Sequence, residues 1–387
     1  MTQHLSEDDI YRQSSQYRLW SFSPEKLSAQ RRQTHTLALE RARHYAVQTP
    51  NLGDSPSNLT ANTLTETEEL RLIQRYSDQL RTTSDKLGFP ANAKATAIQY
   101  LKRFYLSNSC LTYPPKEIYK TVLFLACKTE ATHVMLSEYA RRISTDPEQV
   151  LAPEYKVMQA LRFTLDVRQP YRGLKGALME LLNLAAGIEG VTVGADGEGT
   201  TAGKLRGEME GLRVPGEGDR SVWKGGKGDK MVEEDLSDRI NAAYSAARDV
   251  LDQPALLTDV YFIYTPSQIL LAALVLADQP LTDFYLATKL PVSLPERPKI
   301  LATIRGCADM MGSYSQAEIL SKDERAALEA KLEGCRDPNT RDLVKSLAMR
   351  RGDTGADGKI DQEKAQKRVA SREKNKKEGE DLFGPAL

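Results

Sequence analysis

The chain has 387 residues, 40% of them hydrophobic, which is enough for one large domain or two of ordinary size. Lysine plus arginine and aspartate plus glutamate both number 53, so the net charge is zero and the basic excess of a nucleic-acid binder is missing. Cys110, Cys127, Cys307 and Cys335 form no C-x-x-C pair, and four histidines are too few to complete a ligand cluster, so neither a metal site nor a cofactor is expected.

Free thiols fit a reducing compartment. The first residues, Met1-Thr-Gln-His-Leu-Ser-Glu-Asp-Asp, lack the apolar core of a secretory leader. The longest apolar run, Ile269 to Ala277, falls far short of the roughly 20 residues a membrane span needs. The chain is therefore expected to be soluble and intracellular, with no membrane partner.

The predicted elements are helices throughout. Residues 1–23 mix polar side chains with Tyr11, Tyr17, Trp20 and Phe22. Ser23-Pro24-Glu25 reads as a helix start, Ser as N-cap and Pro in the first helical position. The helix runs to about Tyr45, and residues 48–63 have loop composition. Thr65-Glu-Thr-Glu opens the next helix, with Leu70, Ile73, Tyr76, Leu80 and Leu87 on one face. Breaks follow at Gly88-Phe-Pro90, Tyr113-Pro-Pro115, Asp146-Pro147, Pro153 and Gln169-Pro170. No run alternates with period two, so no sheet is expected. Glycine is dense over about 187–230, too dense to offset its ordering entropy by burial, and this stretch is expected to be a flexible insertion. Helical patterning resumes near Glu233 and continues to about Met349. The charged segment 350–387 is expected to be disordered.

An internal repeat organises these helices. Tyr113-x-Pro115-x-x-Ile118-x-x-x-x-Leu123-x-x-Ala126 recurs 151 residues on as Tyr264-x-Pro266-x-x-Ile269-x-x-x-x-Leu274-x-x-Ala277. Each copy opens on Pro and continues as a helix apolar on nearly all sides, which must be central and buried. Two copies of one helical domain are predicted.

With these features the chain is identified as a member of the cyclin family. Leu101-Lys-Arg-Phe-Tyr-Leu106, followed by Val122-Leu-Phe-Leu-Ala-Cys-Lys128, resembles the first cyclin box. Glu154, nine residues before Phe163, resembles the box's later glutamate. Tyr11-Arg-Gln-Ser-Ser-Gln-Tyr-Arg-Leu-Trp20-Ser-Phe22-Ser23, Gln169-Pro-Tyr-Arg172 and Leu257-Thr-Asp-Val-Tyr-Phe-Ile-Tyr-Thr-Pro-Ser-Gln-Ile269 resemble the arm, inter-domain turn and second central helix of the cyclin H type. The glycine-rich insertion is foreign to the family pattern. The hydrophobic docking motif of cell-cycle cyclins is missing, and its helix carries Glu69-Leu-Arg-Leu-Ile73 instead.

The resemblance implies an all-α fold with two tandem cyclin boxes and flanking helices. Residues 1–63 form the arm and first helix, 64–167 the first box, and 168–315 the second box with the insertion. Residues 316–349 form C-terminal helices and 350–387 the tail. It implies a non-catalytic subunit that binds and activates a cyclin-dependent kinase of the CDK-activating type. The partners implied are that kinase, a RING-finger assembly subunit and the transcription factor TFIIH, acting in the nucleus on RNA polymerase II C-terminal repeats and kinase activation loops. Lys128 and Glu154 would face the kinase, with Phe124 and Tyr155 beside them and Tyr11 and Trp20 from the arm. On residues alone, Lys128 and Glu154 equally suit the helix ends they occupy. The arm aromatics equally suit a small satellite core or an interface.

Two other readings stand beside this one. A cyclin C-like Mediator subunit shares the arm. A TFIIB-type factor shares the double helical box, but wants an N-terminal zinc ribbon and a basic surface, and the first 60 residues hold no cysteine. Asp353 to Lys364 imitates a calcium loop, yet has Gly355 and Lys364 where ligands belong. Gly203-Lys204-Leu205 imitates a phosphate loop, without the upstream Gly or the following Ser or Thr. Neither a Gly-rich loop with its lysine nor H-R-D and D-F-G motifs are present, so kinase chemistry by this chain is not expected.

Overall fold

The structure, a computed structural model, describes residues 7–48, 63–188, 201–212, 231–354, 359–361, 363–364, 366–368 and 370–371. The arm and first long helix are α1 Glu7–Gln13, α2 Ser15–Trp20 and α3 Pro24–Gln48. Then come α4 Glu66–Leu87, α5 Ala91–Phe104, α6 Pro115–Thr129, α7 Leu136–Arg142, α8 Pro147–Leu151 and α9 Glu154–Ala160. The second series is α10 Tyr171–Ala185, α11 Ala202–Glu210, α12 Glu233–Asp252, α13 Pro254–Leu257, α14 Val260–Ile263, α15 Pro266–Ala277, α16 Gln279–Lys289 and α17 Arg297–Gly312. α18 Lys322–Cys335 and α19 Leu343–Arg351 follow, and described residues between 363 and 371 are helical as well. Among the described residues there is no strand; Thr354 and Ile360 form an isolated antiparallel bridge.

The helices form two compact units. One, the first-repeat unit, joins Ser28–Leu165 to Ile319–Leu387. The other, the second-repeat unit, joins Met1–Leu27 to Asp166–Glu318. The repeat read from sequence marks the centre of each. In α6, Ile118, Leu123 and Ala126 are fully buried, and their counterparts Ile269, Leu274 and Ala277 in α15 are buried as well. Pro115 and Pro266 each occupy the start of their helix, where the missing N–H costs nothing. α4, α5, α8 and α9 surround α6, while α10, α12, α16 and α17 surround α15.

Local chemistry sets the boundaries. Thr65 caps α4 by accepting the Glu68 N–H and donates its own N–H to the Glu68 carboxylate, and Gly88 ends that helix at φ 71°, a left-handed conformation glycine adopts without strain. In the second-repeat unit Arg239 of α12 reaches Asp278 at the end of α15 through two bonds of 2.8 and 2.9 Å, with neither side chain exposed. Asp278 also accepts the Leu281 N–H and so caps α16. In the first-repeat unit α18 lies along α4, joined by Arg71–Glu324 and Lys331–Glu68 and by Tyr76 donating to Glu329.

That unit also buries a polar chain. Glu69 accepts from the Ser109 hydroxyl at 2.6 Å, and His35 Nδ1 lies 3.3 Å from the same carboxylate. The Glu69 carboxylate holds the His35 pKa above its ordinary value, against the opposing effect of burial. α4 therefore carries a buried acid under α3, with α18 alongside.

Two sequence expectations need correction. The stretch 187–230 is not wholly a flexible insertion, because residues 202–210 form α11. Ala202, Leu205 and Met209 recur at helical spacing and are buried, and Thr201 caps the helix by accepting the Lys204 N–H. Residues 189–200 and 213–230 lie outside the described residues. The disordered tail expected from 350 also starts too early. Gly352 closes α19 at φ 72°, and Asp353 is buried with Arg368 2.9 Å from its carboxylate. Residues 355–358 and 372–387 lie outside the described residues.

Replacing Asp278 with Ala leaves Arg239 charged, buried and unpaired. It is expected to cost about 3–5 kcal/mol in urea denaturation, part of which returns when Arg239→Leu is added. His35, with its raised folded pKa, contributes stability below its ordinary pKa of about 6.5 and loses it as pH rises through the folded value. Thermal denaturation is therefore expected to show stability falling above pH ~6.5, with His35→Gln flattening that slope.

Candidate functional site

The surface built around Lys128 follows from how α6 ends. Val122 to Cys127 are all buried, so past the first turns, where Lys116 and Lys120 reach the surface, α6 has no outward face until its last turn. Lys128 is the first residue there to reach solvent, at the helix end where a cation is favoured. Ala131 at φ 51° then turns the chain away, and the Thr132 N–H closes on the Cys127 carbonyl at 2.8 Å. α7 returns across α6, with Tyr139 donating to the Lys120 carbonyl at 2.7 Å and lying 5.2 Å from the Phe124 ring. Ser144 at φ 52° and the Asp146 cap start α8, and Thr121 donates to the Val150 carbonyl at 2.7 Å, fixing α8 on α6. Pro153 ends that corner, and Glu154 opens α9 directly beside Lys128.

Lys128 and Glu154 form an ion pair. The Lys128 ammonium also sits 4.5 Å from the centre of the Phe124 ring. The pair is half-exposed, with side chains 44% and 26% accessible, so by itself it stabilises the fold by less than about 1 kcal/mol. The geometry instead fixes where one cation and one anion stand at the surface. Tyr155, the next residue of α9, is 52% exposed and lies under the Arg350 guanidinium at 5.4 Å.

The structure thus gathers Lys128, Glu154, Phe124 and Tyr155 in one place on the first-repeat unit. Phe124 is 5% exposed and serves as the floor under Lys128 rather than as an open contact. Tyr11 and Trp20 belong to the second-repeat unit. There Gln16 accepts the Arg168 N–H at 2.7 Å, and the Phe22 N–H donates to the Phe262 carbonyl at 2.7 Å. Trp20 is 2% exposed and has no face left for a partner, which corrects its assignment as an interface anchor. Tyr11 is half-buried and packs edge-on against Tyr17. Of the two roles open to the arm aromatics, the satellite core describes Trp20.

One exposed residue just beyond α9 was not singled out as a site by sequence. Phe163 is 60% exposed, and it and Arg162 are held at φ 55° and 53°, a left-handed pair without glycine. Such backbone costs roughly 1–3 kcal/mol per residue and is held only where the surroundings fix it. The only sequence signal is that Phe163 follows Glu154 by nine residues.

Comparison with known proteins places this geometry. Residues 47–166 match the cyclin N-terminal domain and residues 169–312 the cyclin C-terminal domain. The chain is 30% identical to Cyclin CCL1 of Saccharomyces cerevisiae over 74% of its own length and 63% of that protein's. It is 37% identical to Cyclin mcs2 of Schizosaccharomyces pombe over 44% of its own length and 54% of that protein's. The alignments thus span just over half to under two thirds of these curated relatives. A chain in the structure of the CAK complex from Chaetomium thermophilum bound to ATP-γ-S superposes with a TM-score of 0.70 and 33% identity, covering 90% of this chain and 96% of that one. A chain of the yeast TFIIK (Kin28/Ccl1/Tfb3) complex superposes with a TM-score of 0.54 and 27% identity, covering 78% of this chain and all of that one. With its two buried central helices and both domains matched, this chain belongs to the cyclin family.

Proposed function

We propose that the chain is a regulatory subunit, without chemistry of its own, that binds and activates a cyclin-dependent kinase of the CDK-activating type. The observation that carries this reading is the surface of the first-repeat unit where the Lys128–Glu154 pair stands beside Tyr155, with Phe163 exposed beyond α9. Exposed aromatics around a fixed charge pair are what a specific protein contact needs: the rings supply area and the charges supply register. Similarity to chains of the CAK and TFIIK complexes supports a CDK-activating partner over a Mediator kinase. The same reading includes a RING-finger assembly subunit, membership of TFIIH and action in the nucleus.

Kinase activation by such a surface is a shift of populations. A kinase is active when its mobile helix brings a glutamate to the phosphate-binding lysine. A subunit that contacts that helix only in this position contributes binding energy to the active state alone. A permanent complex of this kind buries on the order of 2,000 Å² or more. Lys128 and Glu154 then act as a positioning pair whose charges select the register of the kinase helix.

The test is capture of kinase from a nuclear extract with the full chain as bait, followed by assay on C-terminal-repeat and activation-loop peptides. A CDK-activating kinase is expected. Lys128→Glu should weaken capture by at least ~10-fold, and Phe163→Ala should weaken it by roughly 1–2 kcal/mol, with helical circular dichroism unchanged. The swap Lys128→Glu with Glu154→Lys restores the ion pair with reversed charges. Capture should stay low in that variant, whereas full recovery would assign the pair a purely internal role. Recovery of a Mediator kinase would move the chain to the other cyclin type, and retention of DNA without any kinase would defeat the reading.

A further inference from the structure

A second feature of the first-repeat unit is a groove of about 740 Å³ bounded by α6, the corner between α8 and α9, α18 and the start of α19. Its apolar floor includes Ala326 and Ala330, one turn apart on α18, with Leu343 and Val344 of α19. Alanines at that spacing leave a shallow trough that admits another chain's backbone or a small side chain.

The charges around this trough are unevenly matched. Its acids are largely engaged within the unit. Glu117 accepts both Nη groups of Arg336 at 2.6 and 2.8 Å. Glu329 accepts the Tyr76 hydroxyl at 2.5 Å and lies 3.4 Å from Arg325. Asp342 caps α19 by accepting the Lys345 N–H at 2.7 Å. Glu333, mostly exposed, is within 3.9 Å of Arg336. The bases differ: among the described residues, Lys116, Lys120 and Arg341 have no carboxylate within 4.0 Å. Lys120 donates only to the Thr145 hydroxyl at 2.8 Å, and Arg341 only to the Glu333 carbonyl at 3.4 Å. Burial first, and the Lys116 charge second, hold the Lys120 pKa below its ordinary value. At the buried end Arg336, 6% exposed, keeps an Nε–H with no acceptor.

We propose that this groove docks an acidic segment of a partner polypeptide, which lays a small apolar side chain on the alanine floor and sets carboxylates against Lys116, Lys120 and Arg341. An incoming carboxylate relieves the repulsion between the two lysines and supplies the partner that Lys120 lacks. A basic segment is rejected by the same three charges. A nucleic acid is disfavoured because Glu329, Glu333 and Asp342 line the same groove and repel a continuous polyanion. The lining reaches Pro153 but contains neither Lys128 nor Glu154, and binding of an acidic peptide can be read without a kinase present.

The test is fluorescence polarisation of the full chain with a fluorescein-labelled peptide, Asp-Glu-Ala-Leu-Glu-Asp, and with the same peptide carrying Lys in place of each acid. Saturable binding of the acidic peptide alone is expected, weakening as salt rises. Lys116→Glu with Lys120→Glu should reduce its affinity by at least ~10-fold, as should Ala330→Trp, which fills the floor and leaves the charges intact. Arg341→Glu, on an exposed residue, gives an independent reading if the double variant folds poorly. Lys299→Glu, on α17, should change nothing. Absence of saturable binding at low salt, equal loss in Lys299→Glu, or displacement by duplex DNA as readily as by unlabelled peptide would overturn the proposal.

Discussion

A helix stretch with no polar side cannot stand at a protein surface, and this chain contains two, the whole of α15 and the part of α6 beyond Lys120. α15 runs from Pro266 to Ala277 without a charged residue, and α6 buries nearly everything between Ile118 and Cys127. Each must be enclosed, and enclosure accounts for the neighbouring helices with their one-sided apolar stripes. It also decides where function can sit. Residues inside the ring are committed to packing, so a side chain of a central helix reaches the surface only outside the enclosed stretch, as Lys116 and Lys120 do before it and Lys128 does after it. Lys128 stands at that exit, and α9 meets it there because α7 and α8 have already turned around the core.

Two ion pairs illustrate how burial divides labour. Arg239 and Asp278 are fully enclosed, bonded twice to each other, and Asp278 also caps a helix. Such a pair adds little net stability over an apolar replacement but punishes the loss of either member, so it fixes one arrangement of α12, α15 and α16. Lys128 and Glu154 are half-open to water and contribute almost nothing to folding. Their placement is rigid all the same, because Phe124 supports the ammonium from below and Thr121 holds the neighbouring corner to α6.

Much of the architecture was legible because prolines and glycines punctuate it. Gly88, Pro115, Pro147, Pro153 and Pro266 mark real boundaries, and the repeat found from five matched positions marks the two central helices. The meeting of Lys128 with Glu154 was not legible from residues alone. It depends on left-handed turns at Ala131 and Ser144, which no residue type there announces. The arm's destination was equally silent, since a docking aromatic looks the same in sequence whether it serves its own core or a partner's. α11 was hidden for a compositional reason: three apolar residues at helical spacing were outvoted by the glycines around them. Phe163 read as a spacing landmark because its exposure follows from backbone angles, not from its neighbours in sequence.

The four thiols are all unpaired and buried, three of them, Cys110, Cys127 and Cys335, in one unit and Cys307 in the other. Burial pushes Cys127 and Cys307 up to about 12 and raises Cys110 and Cys335 as well. At neutral pH a thiol near 12 is ionised on the order of once in 10⁵ molecules, and the thiolate is the reactive form. The thiols of the folded subunit are therefore quiet toward peroxide and alkylating reagents. The same sealing turns the cysteines into an unequal pair of tallies: opening one half of the molecule releases three reactive sulfurs, opening the other releases a single one, and the count of modified thiols names the half that came apart.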